Sequence, residues 1–217
     1  MRHQKRFTSR HKVTTEKRAE GQAGGKVIRG YAAVFYNAAD PVGTQYSLWD
    51  DIFERVMPGA FDRAISEAHD ARGLFNHDAN WLLGRVSSGT VRLSVDSVGL
   101  HYEIDVNEDD PQWQSIAAKI DRGDITGSSF GFVVRQATWT EQDSGGGMKI
   151  WYHSINDVDL YDVSPVTWPA YTGTSAGRGA SPDDRAELLA ERNRQGLDAQ
   201  WAQAQARANM ALSECFV

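Results

Sequence analysis

The first sustained apolar stretch of the chain is Val27-Ile28-Arg29-Gly30-Tyr31-Ala32-Ala33-Val34-Phe35. Its β-branched and aromatic content predicts a buried strand. Residues 36–51 read as loop, with Asn37, Asp40-Pro41 and Gly43 as turn formers. After Met57-Pro58-Gly59 the period changes. Ala60, Phe61, Ala64, Ile65 and Ala68 recur at helical spacing and predict a helix over about 60–70, opened by Pro58. Gly73-Leu74-Phe75-Asn76-His77-Asp78 reads as a strand end. Two alternating runs follow, Val91–Val95 and Leu100–Val106. In the second, Leu100, Tyr102, Ile104 and Val106 face one way and His101, Glu103 and Asp105 the other, so the turn at Asp96-Ser97-Val98-Gly99 makes a hairpin. A helix over 111–122 is opened by Pro111, carries the stripe Trp113, Ile116, Ala117 and Ile120, and ends at Gly123. Strands are expected near 129–140 and 148–154, joined by the flexible tip Asp143-Ser144-Gly145-Gly146-Gly147, and again near 155–163 and 165–169.

The ends of the chain have a different texture. Residues 1–25 are polar and basic and read as an arm, with a short strand near Val13. Tyr171–Gly177 marks the end of the patterned region. Beyond it, Ser181-Pro182-Asp183-Asp184 has the cap, the proline and the acids of a helix start. Residues 182–213 are rich in Ala, Gln, Glu and Arg, which predicts a helical tail broken at Gly196 with too few large apolar residues for its own core. The expected organisation is a flexible basic arm over 1–26, a folded domain over 27–175 and a helical or disordered tail over 176–217. The fold class is α+β, a mainly antiparallel sheet or barrel flanked by short helices. The 217 residues suffice for one such domain with its tails.

Net charge is −6, and it is unevenly spread. Arg2, Lys5, Arg6, Arg10, Lys12, Lys17 and Arg18 stand against Glu16 alone in the first eighteen residues, so the rest of the chain is strongly acidic. The basic segment reads as a solvated tail, or as a tether to nucleic acid or an acidic partner. No zinc-finger, helix-turn-helix or RNA-binding signature points to sequence-specific nucleic-acid recognition. The single cysteine, Cys215, cannot form an internal disulfide or a thiolate zinc site alone. With no apolar run near 18 residues and no apolar stretch after the basic start, neither a membrane span nor a secretory signal is expected.

Three places could carry chemistry. His77 follows an apolar strand and precedes polar residues, which puts an imidazole at the rim of a sheet; a structural or surface histidine fits the same context. Gly127-x-Ser129-x-Gly131 matches the short nucleophile-elbow pattern, but the elbow needs strand, turn and helix, and Phe132-Val133-Val134-Arg135 continues as strand. A serine on a strand can still be a nucleophile if a base reaches it, or it can be a small residue at a close backbone approach. Asp159 and Asp162 are three apart in a strand and point to opposite faces, so only one can share a side with a histidine. A buried carboxylate needs a partner, and a histidine N–H would supply one; Asp159 reads better as a surface acid. Of the other histidines, His3 and His11 lie in the arm, His69 ends a helix, and His101 and His153 fall on polar sides of strands. None is spaced to pair as a metal ligand, and neither a metal nor a cofactor is expected.

Together these segments resemble the prohead serine proteases of tailed bacteriophages, whose fold is similar to the herpesvirus assemblin. The likeness covers roughly residues 27–172. It rests on Gly30-Tyr31-Ala32-Ala33-Val34-Phe35, Glu54-Arg55-Val56-Met57-Pro58-Gly59-Ala60-Phe61, Leu74-Phe75-Asn76-His77-Asp78 and Leu83-Gly84-Arg85-Val86. It continues through Ser128-Ser129-Phe130-Gly131-Phe132 and the run from Leu160 to Tyr171, in that order. The resemblance implies His77 as catalytic base, Ser129 rather than Ser128 as nucleophile, and Asp162 as the third member, with Asp159 the other candidate for that role. The small residues Gly127, Gly131 and Gly84 would allow close backbone approach near the site. It further implies an endopeptidase packaged inside the assembling prohead in the host cytoplasm. Its substrates would be scaffold and major-capsid-protein segments and the protease itself, with a homo-oligomer left open. The rival readings are a non-catalytic capsid-assembly or scaffold-type protein that keeps the fold, and a general serine esterase.

Overall fold

A computed structural model describes residues 4–8, 11–17, 25–167 and 182–214. The chain divides into two compact units, Met1–Ser175 and Ala176–Val217. Among the described residues, two open sheets build the first unit, and neither closes on itself. The smaller sheet has the order β2-β3-β9-β8, from Thr14–Lys17, Lys26–Val34, Gly99–Asp105 and Val91–Val95, and is antiparallel throughout. The larger runs β1-β10-β11-β5-β4, from Gln4–Thr8, Gly127–Asp143, Lys149–Val166, Ile52–Val56 and Tyr46–Trp49. A hairpin of β6 (Arg72–Phe75) and β7 (Asp78–Arg85) joins this sheet by pairing β6 with the last part of β11. The sheet is mainly antiparallel, but β5 and β6 both run parallel to β11, β5 beside residues 151–155 and β6 beside 162–163.

One apolar cluster draws on both sheets. Ile28, Ala32, Leu100, Tyr102 and Ile104 come from the small sheet; Phe130, Phe132, Ile155, Val158, Leu160 and Val163 come from the large one. The rings of Phe130 and Phe132 stack at 4.5 Å, and Phe61 meets Phe130 edge-on at 5.5 Å, a favourable aromatic geometry. Glycines let the sheets close. A Cβ on Gly30 would stand 2.7 Å from both the Ser128 and Tyr102 hydroxyl oxygens. Gly84 does similar work between the sheets, where a Cβ would press on Val91 and Ile104 at 3.0–3.1 Å. Its place is therefore in the packing of β7.

Several expectations change on this fold. The described part of the basic arm is not free, because β1 pairs with β10 and β2 with β3, and Val13 is buried in the core. The short strand expected near Val13 is β2, whereas the polarity of residues 4–8 conceals β1, since its backbone groups rather than its side chains do the pairing. The loop at 36–51 contains a short helix, α1 (Pro41–Thr44), capped by Asp40, and then β4. The helix expected over 60–70 is only α2 (Asp62–Ser66); Ala68 turns left-handed at φ 50° and the His69 N–H returns to the Ala64 carbonyl. The two strands expected at 148–163 are one, β11, whose register against β10 shifts at bulges near Gly131, Val134 and Gln136. Residues 168–169 lie outside the described residues. By contrast α3 (Pro111–Arg122) has the predicted bounds, with Asp110 as cap and Gly123 left-handed at its end. In the second unit α4 (Pro182–Glu214) runs through Gly196 without a break. A glycine costs a helix only about 1 kcal/mol against alanine, too little to interrupt it.

One ion pair ties β1 to the large sheet. Glu54 on β5 is fully buried and meets the Arg6 guanidinium twice, through Nε and through Nη2 at 2.9 Å. Burial pushes this carboxyl up, but the Arg6 charge and the His153 hydrogen bond outweigh it and hold it at about 2. A depressed carboxylate stabilises the fold above its unfolded pKa, and the contribution is lost as pH falls through the folded value. With residues 1–6 attached, the stability gap between wild type and Glu54→Gln should therefore be on the order of 3 kcal/mol near neutral pH. It should shrink as pH falls from about 4.5 to about 2, read by chemical denaturation. A gap that stays constant across that window contradicts the ion pair.

Candidate active site

The ladder between β10 and β11 sets the site. Ser129 lies opposite Ser164, and Gly131 opposite Asp162. In an antiparallel pair, residues two apart share a face, so Ser129, Gly131, Asp162 and Ser164 point to the same side. Ser128 points to the other side, where its hydroxyl and that of Tyr102 are 2.8 Å apart. The sequence placed Ser129 on a strand, and it is on one; β10 continues to Asp143, so the strand–turn–helix of a nucleophile elbow is absent.

His77 comes from the turn between β6 and β7. Phe75 pairs with Asp78, which leaves Asn76-His77 as a two-residue loop. Both residues have positive φ, 55° and 58°. That is the pattern of a type I′ hairpin turn, in which asparagine is favoured and histidine carries the strain of a left-handed backbone. Asn76 clamps the turn onto the end of β11. Its N–H donates to the Pro165 carbonyl at 3.1 Å, its side-chain oxygen accepts from Thr167 N–H at 2.9 Å, and its Nδ2 donates to Thr167 Oγ1 at 3.1 Å. Because β6 pairs with Asp162 and Val163, the turn is delivered over the face that carries Asp162 and Ser129.

The three predicted residues converge. His77 Nδ1 is 2.5 Å from Asp162 Oδ1, and His77 Nε2 is hydrogen-bonded to Ser129 Oγ. A carboxylate only accepts, so Nδ1 carries a hydrogen toward Asp162 and the neutral ring turns its Nε2 lone pair to the serine. The side chains of His77 and Asp162 are 3% and 5% exposed, and Ser129 is fully buried. Ser164, which sequence reasoning missed, donates its hydroxyl to Asp162 Oδ1 at 2.8 Å and lies 3.4 Å from His77 Nδ1. Its signal was present in the sequence, two residues beyond Asp162 and so on the same face. The Asp162 carboxylate reaches the ring because β6 brings the turn close to β11.

Asp159 does not point to the opposite face as expected: the bulge between Gly131 and Phe132 breaks the alternation of β11 and puts Asp159 on the same side as Asp162, further along the strand and away from His77. Arg135 Nε donates to Asp159 at 2.5 Å and Arg63 Nη2 at 2.8 Å, and these contacts, Arg135 first, lower its pKa. His153, expected on a polar strand face, is fully buried. Its Nδ1 is 3.1 Å from Glu54 Oε2 and its ring lies 4.7 Å from that of Trp139. The expectation failed because Glu54 on β5 and Trp139 on β10, the register neighbours of His153 in the sheet, share its face and pack their side chains against it. One further neighbour matters. Ser129 Oγ is 2.7 Å from the Arg6 carbonyl oxygen, placed there by β1. A hydroxyl has a single hydrogen, so Ser129 can donate to His77 or to this carbonyl, one at a time. Among the described residues no group of three or more His, Cys, Asp or Glu converges as a metal site, and no helix is long and apolar enough to cross a membrane.

No curated protein matches the chain. Among solved structures, the capsid assembly protease of bacteriophage T4 resembles it with a TM-score of 0.47 at 15% identity, over 78% of this chain and 100% of that one. The sequence matches the caudovirus prohead serine protease family over residues 12–185, which takes in both sheets apart from β1, together with the hairpin that carries His77. The chain therefore belongs to the caudovirus prohead serine protease family.

Proposed function

We propose that the chain is a serine endopeptidase in which Ser129 is the nucleophile, His77 the general base and Asp162 the residue that orients the imidazole. The observation that carries this reading is the continuous hydrogen-bonded relay from Asp162 through His77 to Ser129, assembled from β11, the β6–β7 turn and β10. Ser129 Oγ loses its proton to His77 Nε2 as it attacks a peptide carbonyl. Asp162 holds the ring in the tautomer that leaves Nε2 free, and stabilises the imidazolium formed. Ser164 fixes the carboxylate by its hydrogen bond. The same proton is then given to the leaving amine, and water hydrolyses the acyl-serine. Membership of the prohead protease family supports scaffold and capsid-protein segments as substrates within the assembling prohead, and the protease itself as another.

A non-catalytic assembly protein has no need of a histidine held against a serine at a strained turn. The contact between His77 and Ser129 favours the enzyme. The strand context of Ser129 favours a protease of this family over an elbow-type esterase.

Ser129→Ala should abolish processing of a co-expressed capsid or scaffold substrate, a loss on the order of 10⁶ in kcat, with the fold intact. Ser128→Ala should leave processing in place and cost about 1–3 kcal/mol of stability, because it strands the Tyr102 hydroxyl in the core. Equal loss of processing at both serines contradicts the assignment.

Asp162→Asn should slow cleavage by up to about 10⁴-fold, since an amide permits the wrong imidazole tautomer. Asp159→Asn should leave the rate near that of wild type. Rates measured on one peptide substrate decide it: a large effect at Asp159 with none at Asp162 would remove Asp162 from the relay.

A further inference from the structure

The neighbour of Ser129 that the relay does not use is the chain's own Arg6. Without β1, β10 would be the edge of the large sheet. The strand β1 adds to that edge in antiparallel register, with Arg6 opposite Phe130 and Phe7 opposite Ser129. Addition of an extended segment to a sheet edge is a general way to hold a peptide, with main-chain bonds giving affinity and side-chain pockets giving selectivity. Here the added segment lies across the nucleophile, which is fully buried with β1 in place. The Arg6 carbonyl oxygen sits 2.7 Å from Ser129 Oγ, and its carbon is one C=O bond, about 1.2 Å, from that oxygen. The peptide bond brought to the nucleophile is therefore the one between Arg6 and Phe7.

The Arg6 side chain enters a built receptor. Its Nε and Nη2 engage the two oxygens of Glu54, the fork-to-fork match that distinguishes arginine from other cations. Glu54 is fully buried, and His153 holds its Oε2 through Nδ1 at 3.1 Å. The guanidinium also stands over the Phe132 ring, 5.5 Å from its centre. A carboxylate hidden from water is costly unless a cation meets it. Such a group discriminates strongly: an arginine satisfies it, while a neutral or acidic side chain leaves it uncompensated.

We infer that Glu54, held by His153, selects an arginine at the residue immediately before the cleaved bond, and that Arg6–Phe7 is a bond of this kind cut by the chain itself. The inference rests on Ser129 being the nucleophile. In the reaction Ser129 Oγ forms an ester to the Arg6 carbonyl carbon while the bond from that carbon to the Phe7 nitrogen breaks. The serine proton passes through His77 to the Phe7 nitrogen. Water then hydrolyses the ester, leaving residues 1–6 with a carboxylate at Arg6 and a chain that begins at Phe7.

The test begins with the purified full-length chain, incubated and read by intact mass and N-terminal sequencing. Wild type should release residues 1–6 and acquire Phe7 as a new N-terminus, and Ser129→Ala should stay whole. Matched peptides with Arg or Gln before the cut bond then measure selectivity. Wild type should favour Arg in kcat/KM, and Glu54→Gln should lower that Arg-to-Gln ratio by at least about 30-fold. A merely structural role for Glu54 would lower both rates and leave the ratio alone. Should Glu54→Gln fail to fold, Arg6→Gln in the unaltered background replaces it, and release of residues 1–6 should fall by the same factor. Ser129-dependent cleavage that never follows Arg6, or a selectivity ratio unmoved by Glu54→Gln, overturns the inference and spares the serine mechanism. No Ser129-dependent cleavage of any substrate overturns the mechanism itself.

Discussion

Everything at the site hangs on the antiparallel ladder between β10 and β11. A shift of one residue in that ladder would turn every side chain to the other face. Ser129 would then point to Tyr102 and the core, and Ser128 to the histidine. The register is held by what lies on the far side. Phe130 and Phe132 stack in the core, and the Ser128 hydroxyl is bonded to that of Tyr102 in the space that Gly30 leaves open. The buried apolar face thus positions the polar one. A bulge between Gly131 and Phe132 adjusts the ladder beside the site; it changes the alternation of β11, so that Asp159, opposite Val133, falls on the same face as Asp162, opposite Gly131.

A second constraint positions His77. A histidine with positive φ is an uncommon backbone state, and such states persist only where the surroundings over-determine them. Here Asn76 grips the end of β11 through its backbone N–H and both ends of its side-chain amide, while β6 pairs with the same strand. Asp162 and His77 are therefore both referred to β11: Asp162 is part of it, and His77 is clamped to it. Ser129 sits on the adjoining strand. Small motions of the sheet carry all three together, which preserves the hydrogen-bonded relay at little entropic cost.

Much of this was legible in the sequence. The alternation at 91–106 and the amphipathic stripe at 111–122 gave elements with nearly the observed bounds, because their periodicity reflects one buried face. His77, Ser129 and Asp162 were legible as candidates from their positions beside apolar strands, and a resemblance supplied their grouping. What stayed hidden was non-local. The strand near Val13 was legible, but nothing in the polar sequence of residues 4–8 announces β1, since its role is to satisfy the backbone of β10. His153 looked exposed because period-two alternation cannot tell which side chains the neighbouring strands will set beside it, here Glu54 and Trp139. Glu54 stood within a quoted motif, yet its value depends on Arg6, 48 residues away in sequence.

The central claim is that His77 activates Ser129 as a nucleophile in a water-poor site. The most direct measurement is covalent labelling by a fluorophosphonate, with the modified residue located by peptide mass spectrometry. The account predicts a single phosphonylated serine at position 129, with labelling strongly slowed in His77→Ala and unaffected in Ser128→Ala. Label at Ser128, or label at Ser129 that persists at full rate without His77, would contradict it.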